Sequence, residues 1–145
     1  MSTDTFFQCQ VGTSDPSVPL GLEIWVDQNK VFDQDHVTET HTVKHSLPDV
    51  EGRHQLRFVL KNKTQEHTKI DDNGNIIKDA VIQISDLSFE GIELGQMFFD
   101  LAEYRHDFNG TAPETTAKFY GTMGCNGTLT LEFDTPIYLW LLEKM

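Results

Sequence analysis

Short segments of alternating apolar and polar residues predict an all-β chain, a single antiparallel β-sandwich of jelly-roll type with a short C-terminal helix. Leu22-Glu23-Ile24-Trp25-Val26-Asp27, His54 through Lys61 and Thr128 through Phe133 all carry the alternation. A period of two sends one set of side chains to a buried face and the other to water. Gly, Asn, Asp and Pro close each segment, as antiparallel strands stacked in two layers require. The ending differs in kind. Thr135 suits an N-cap, Pro136 suits the first helical position, and Ile137 to Glu143 holds no breaker, which predicts a helix over 136–143. With 145 residues the chain has the size of one domain, 1–145, able to bury a core without staples.

In chain order, Phe6-Phe7 followed by Gly12, Ser14, Asp15, Pro16 and Pro19 reads residues 1–19 as an N-terminal arm or short edge strand and a loop. Leu22 to Asp27 is the first clear strand. Asp27 to Lys30 makes a tight turn, and Val31-Phe32 starts the return strand of a hairpin. Thr38 to His45, rich in Thr and Val, reads as a strand with one wet face. Pro48 to Gly52 is a loop, and His54 to Lys61 points Leu56, Phe58 and Leu60 inward. Asp71-Asp72-Asn73-Gly74-Asn75 is a turn signal. In Ala80 to Phe89 the alternation slips between Ile84 and Leu87, the mark of a bulge. Ile92 to Leu94 is a short strand, Tyr104 to Phe108 and Lys118 to Tyr120 form a long-looped hairpin, and Asn126-Gly127 turns into the last strand. The expected core is Leu22, Ile24, Val26, Leu56, Phe58, Leu60, Ile82, Ile84, Leu129, Leu131 and Phe133.

The formal net charge of -12 narrows the partners. It repels a phosphate backbone, and the 11 Lys and Arg form no cluster, so nucleic acid is not an expected partner. Lys61 and Lys63 fall beyond the expected end of their strand. The N-terminus lacks the basic and apolar regions of a secretion signal, and no apolar run approaches the roughly 20 residues that span a bilayer. The expectation is synthesis and retention in a cytoplasm, with no membrane contact. Cys9 and Cys125 then stay reduced and unlinked, and the Asn-x-Thr sequons at 62, 109 and 126 serve as turns.

Trp25 is the main ligand-binding candidate. Leu22, Ile24 and Val26 claim the core, leaving Trp25 outside between Glu23 and Asp27, where an indole and two carboxylates could stack a sugar ring and bind its hydroxyls. The alternative is that another element, such as Tyr138-Leu139-Trp140, covers it, since bare tryptophan on a sheet invites aggregation. The acidic turns are the metal candidates: Asp33 and Asp35 at one, Asp71 and Asp72 at another. Calcium takes six to eight oxygens, and loops on one rim of a sandwich can supply them. The competing reading is that Asp and Asn serve turn geometry. His41 and His45 lie about 13 Å apart on an extended strand, too far to share zinc. No Gly-x-Ser-x-Gly elbow or phosphate-cradling loop is present, which argues against an enzyme.

Leu22 to Asp27, Leu47-Pro48-Asp49 with Gly52 and His54, Leu56 to Lys61, Asp86 to Gly95 and Phe133 to Leu142 resemble uncharacterised proteins of large tailed phages of marine cyanobacteria. That resemblance implies a non-enzymatic binding or structural protein, made in the cytoplasm of an infected bacterial host and associated with a virion or host adhesion, with a virion protein as partner. The Leu-x-Ile-x-Val-Asp strand and its hairpin also resemble β-sandwich carbohydrate-binding modules. This second resemblance implies the alternative function, a calcium-assisted module for a cell-surface glycan. A stand-alone glycoside hydrolase is the third reading, and it requires a cleft lined by two carboxylates.

Overall fold

A computed structural model describes residues 6–47, 50–62, 68–70, 72–73, 76–106, 113–124 and 126–144. The elements are β1 (Phe6–Thr13), β2 (Gly21–Val26), β3 (Asn29–Gln34), β4 (His41–Ser46), β5 (Gly52–Lys61), β6 (Thr68–Ile70), β7 (Ile76–Asp79), β8 (Ile82–Phe89), β9 (Ile92–Glu93), α1 (Gln96–Leu101), β10 (Glu103–His106), β11 (Thr115–Lys118), β12 (Thr122–Met123), β13 (Gly127–Thr135) and α2 (Ile137–Lys144). One antiparallel sheet runs β11-β10-β13-β5-β2-β3. The other runs β12-β8-β1-β4, with β9 on β8, and β6 and β7 form a separate hairpin. The all-β sandwich with a C-terminal helix is the observed fold.

The core lies where the alternation puts it. All eleven residues expected to be inward are buried. Two aromatic clusters fill the two ends of the interior. At one, Phe98 of α1 meets Phe58 at 6.1 Å and Phe119 at 5.0 Å between ring centroids. At the other, Phe89 meets Phe133 at 5.3 Å and Trp140 of α2 at 5.8 Å. Each short helix buries apolar side chains against this core, Phe98 from α1 and Ile137, Trp140 and Leu141 from α2.

Three features differ from the expectation. Residues 6–13 are neither an arm nor an edge strand: β1 lies between β4 and β8, with Phe7, Cys9 and Val11 facing the core. Its partners are 30 to 80 residues downstream, so no local signal marks it as central. The helix α1 occupies Gln96–Leu101, a stretch to which the sequence assigns no element. Lys61 is the last residue of β5, paired opposite Gly21, rather than a residue beyond the strand. The slip in β8 is a bulge: Ser88 pairs with Gln8 and Ser85 with Gln10, leaving Asp86 and Leu87 opposite Cys9, with Asp86 at φ 55. Cys9 is a buried free thiol, and burial pushes its pKa up to about 12. Cys125 lies outside the described residues. No helix among the described residues is long and apolar enough to cross a membrane.

Candidate functional site

Cross-strand register builds the outer face of the six-stranded sheet. Glu103 pairs with Lys118 and Thr130, Thr130 with Arg57, and Arg57 with Trp25, which pairs in turn with Lys30. Adjacent strands lie about 4.8 Å apart, so these side chains form one row across the sheet. The next row holds Arg105, Thr128, Val59, Glu23 and Asp33. Glu132 and Gln55 continue the face on the other side.

Two shallow depressions run along this face. One of about 350 Å³ is lined by Gln55, Arg57, Arg105 and Thr128; the other, of about 260 Å³, by Arg53, Leu101, Trp140 and Lys144. Glu103, Thr130 and Glu132 line both, which makes them one continuous groove over β10, β13 and β5. Its wall is polar, and Arg53 is held there by Glu132 at 2.8 Å.

Trp25 stands at the Arg57 end of the groove, half-buried. Its Nε1 donates to Glu23 Oε1 at 2.9 Å. The Arg57 guanidinium lies 5.6 Å and the Lys30 ammonium 5.7 Å from its ring. The terminal helix takes the other end, with Trp140 packed on Phe89 and Phe133. The charged groups set against the Trp25 indole are thus Arg57, Lys30 and Glu23.

Asp27 follows β2 in the left-handed region, at φ 53, where the hairpin turns. Its Oδ2 accepts from His54 Nδ1 at 2.7 Å, its Oδ1 from the Gln55 amide at 2.9 Å, and its carbonyl from Arg57 Nη2 at 2.7 Å. Asp27 thus anchors the hairpin and steadies Arg57 from behind. His54 Nε2 in turn donates to the Val50 carbonyl at 2.7 Å. A carboxylate and a carbonyl both only accept, so these two contacts favour the protonated ring, with the Thr135 hydroxyl 3.1 Å from the same Nε2. Burial alone pulls the His54 pKa down, but the Val50 and Asp27 contacts outweigh it and the net shift is upward.

The metal candidates part company. Asp33 and Asp35 converge with Glu23, but on a lysine. Lys61 Nζ lies 2.7 Å from Asp33 Oδ1, 2.8 Å from Asp35 Oδ1 and 3.1 Å from Glu23 Oε2. The hydrogen bonds to Asp33 and then Asp35 raise the Lys61 pKa, and those from Trp25 and then Lys61 lower that of Glu23. An ammonium supplies the positive charge that a calcium ion would bring, and these three carboxylates do not fit calcium while it is there. Among the described residues no group of three or more His, Cys, Asp and Glu is placed to hold a metal ion. Asp72 is exposed in the turn between β6 and β7, and Asp71 lies outside the described residues.

Sequence reasoning singled out Trp25 and Glu23 but missed Lys61 and the groove residues Arg57, Thr130 and Glu132. Alternation already sent all of these outward. Only the register of β2, β5 and β13 shows that they adjoin.

No family model matches the chain, and no curated protein does. Two solved structures do. One is vCBM60 in a study described as linking two families of calcium-dependent carbohydrate-binding modules by circular permutation, with a TM-score of 0.56, 9% identity, and 88% of this chain and 89% of that one covered. The other is vCBM60 in complex with galactobiose, with a TM-score of 0.53, 10% identity, and 87% and 96% covered. At such identity the likeness is one of fold: this chain is built like vCBM60, a carbohydrate-binding module.

Proposed function

We propose that the protein is a non-catalytic carbohydrate-binding module whose glycan lies in the groove across β10, β13 and β5. The observation that carries this reading is the groove itself, a continuous polar trough whose rows repeat at the strand spacing. The likeness to vCBM60 supports it over the phage structural role that the sequence suggested.

A sugar chain presents pairs of hydroxyls that both donate and accept. The Arg57 guanidinium offers fixed parallel donors to such a pair, and Glu103 and Glu132 offer acceptors. Thr128 and Thr130 do either. Trp25 and Asp27 hold Arg57 at the height from which it reaches the trough, so Trp25 closes the end of the groove while Glu23 fixes the indole. Calcium need not be carried over from the neighbours, because the Lys61 ammonium already occupies the position between Glu23, Asp33 and Asp35.

Retention on a glycan array and affinity electrophoresis on the retained polysaccharide test this. Arg57→Ala should cut affinity about ten- to hundredfold, since a hydrogen bond from a charged group contributes about 1.5–3 kcal/mol. Retention should be equal in calcium and in chelator. No retention on any glycan overturns the reading, and release of reducing ends would move it to a hydrolase.

A further inference from the structure

The five-stranded sheet carries a hollow that the glycan groove does not use. It has a volume of about 450 Å³ and lies between β8, α1 and β12. Its apolar side is Ile84, Leu87, Phe98, Phe99 and Tyr120, and Tyr120 is 71% exposed. Its polar side is Gln83, Ser85, Asp86, Glu93, Gln96 and Thr122. Among the described residues no Lys, Arg or His lines it.

The backbone is shaped to leave this space. The β8 bulge turns the chain out at Asp86, at φ 55, where a non-glycine residue costs about 1–3 kcal/mol. Gly95 and Gly121 border the same hollow at φ 55 and φ 107. A Cβ on Gly121 would meet Phe99 Cζ at 3.7 Å, an ordinary contact, so it is the positive φ that favours glycine there.

We propose that this hollow is a second sugar subsite, selective for an uncharged pyranose ring. It rests on the glycan-binding reading above but concerns a different face. A volume of this size, with an aromatic surface and a few convergent polar groups, suits a small ligand. A wholly apolar ligand would bury Ser85, Gln83 and Thr122 without partners, at a cost in desolvation. An anion would meet Asp86 and Glu93 with no cation beside them. A pyranose satisfies both sides, its C–H face on Tyr120 and Phe99 and its hydroxyls on the amides, hydroxyls and carboxylates. The nearest described cation, Lys118 at 5.6 Å from the Tyr120 ring, is paired with Asp100 at 3.5 Å, so it does not offer an anion a free partner.

Amide chemical shifts followed during titration with methyl β-glucoside, methyl β-glucuronide and methyl β-glucosaminide separate the outcomes. The expected result is movement at Gln83, Gln96 and Thr122 with the glucoside, and at least tenfold weaker binding of the glucuronide. Tyr120→Ala should weaken the glucoside about tenfold. Ser85→Phe, an exposed position whose new ring fills the hollow, should abolish the movement while Arg57 shifts persist. Movement confined to the Arg57 groove overturns the second subsite and keeps the first. Movement confined to the hollow keeps the second and removes the first. Binding of the glucosaminide alone, or of none of the probes, overturns the proposal.

Discussion

Lys61 and Asp33 sit on strands that do not pair with each other, yet their charges meet at 2.7 Å across the outer face of β2, which lies between them. Asp35 and Glu23 share the same ammonium. Replacing it should leave three carboxylates facing one another, a like-charge cluster that binds a hard cation to relieve repulsion. Lys61→Met should therefore gain calcium-dependent thermal stabilisation that the wild type lacks at this site, since binding only the native state raises Tm. Terbium emission excited through the adjacent Trp25 reads the same event. Equal emission from wild type and variant would show that Lys61 does not hold the position.

His54 makes stability depend on pH in a defined direction. Its pKa in the folded chain lies above the ordinary value of about 6.5. The stability from its charged contacts is thus complete below the unfolded pKa and lost as pH rises through the folded one. Tm should fall on going from about pH 6 to pH 8 by an amount that His54→Gln abolishes. His54→Ala should cost about 1–3 kcal/mol at low pH, because Asp27 Oδ2 loses its donor and the Val50 carbonyl keeps only the Thr135 hydroxyl. A Tm that rises over that interval and falls in neither variant would refute the charge assignment.

Phe58 lies at the centre of β5 with no exposed surface and stacks on Phe98 of α1. Phe58→Ala should cost about 3–5 kcal/mol in urea unfolding. A loss below about 1 kcal/mol would mean that the site collapses fully around the cavity.

Trp140 and Trp25 should behave as separate probes. In Trp140→Phe the remaining emission comes from Trp25, half-buried beside two cations, and acrylamide should quench it in part. Deleting residues 136–145 removes Ile137, Trp140 and Leu141 from the interior and should destabilise the sandwich strongly, because Phe89 and Phe133 lose their cover. If the deletion leaves Tm unchanged, α2 contributes nothing to closure.

What could be read in the sequence follows from how far apart the interacting residues lie. The alternation in Leu22 to Val26 and in Leu56 to Leu60 is local, and so is the slip that became the β8 bulge. The central place of β1 is not, because Phe6 to Thr13 acquires its neighbours from β4 and β8. The candidate site divides the same way. Trp25 and Glu23 lie two residues apart and were found together. Lys61 joins them only through the β2–β5 pairing, and the groove needs β10 and β13 as well. Acidic turn residues carried no mark of which one a lysine would claim.

The placing of β1 has a consequence for how the chain is made. Phe7 pairs with Phe89, and that partner leaves the ribosome more than 80 residues later. Synthesis at about 5–20 residues per second leaves an apolar segment waiting for several seconds with only β4 to shelter it. A fold with such distant pairings is slow to close. Yield in cells should therefore respond to translation speed and chaperone supply more than to changes in the finished molecule's surface.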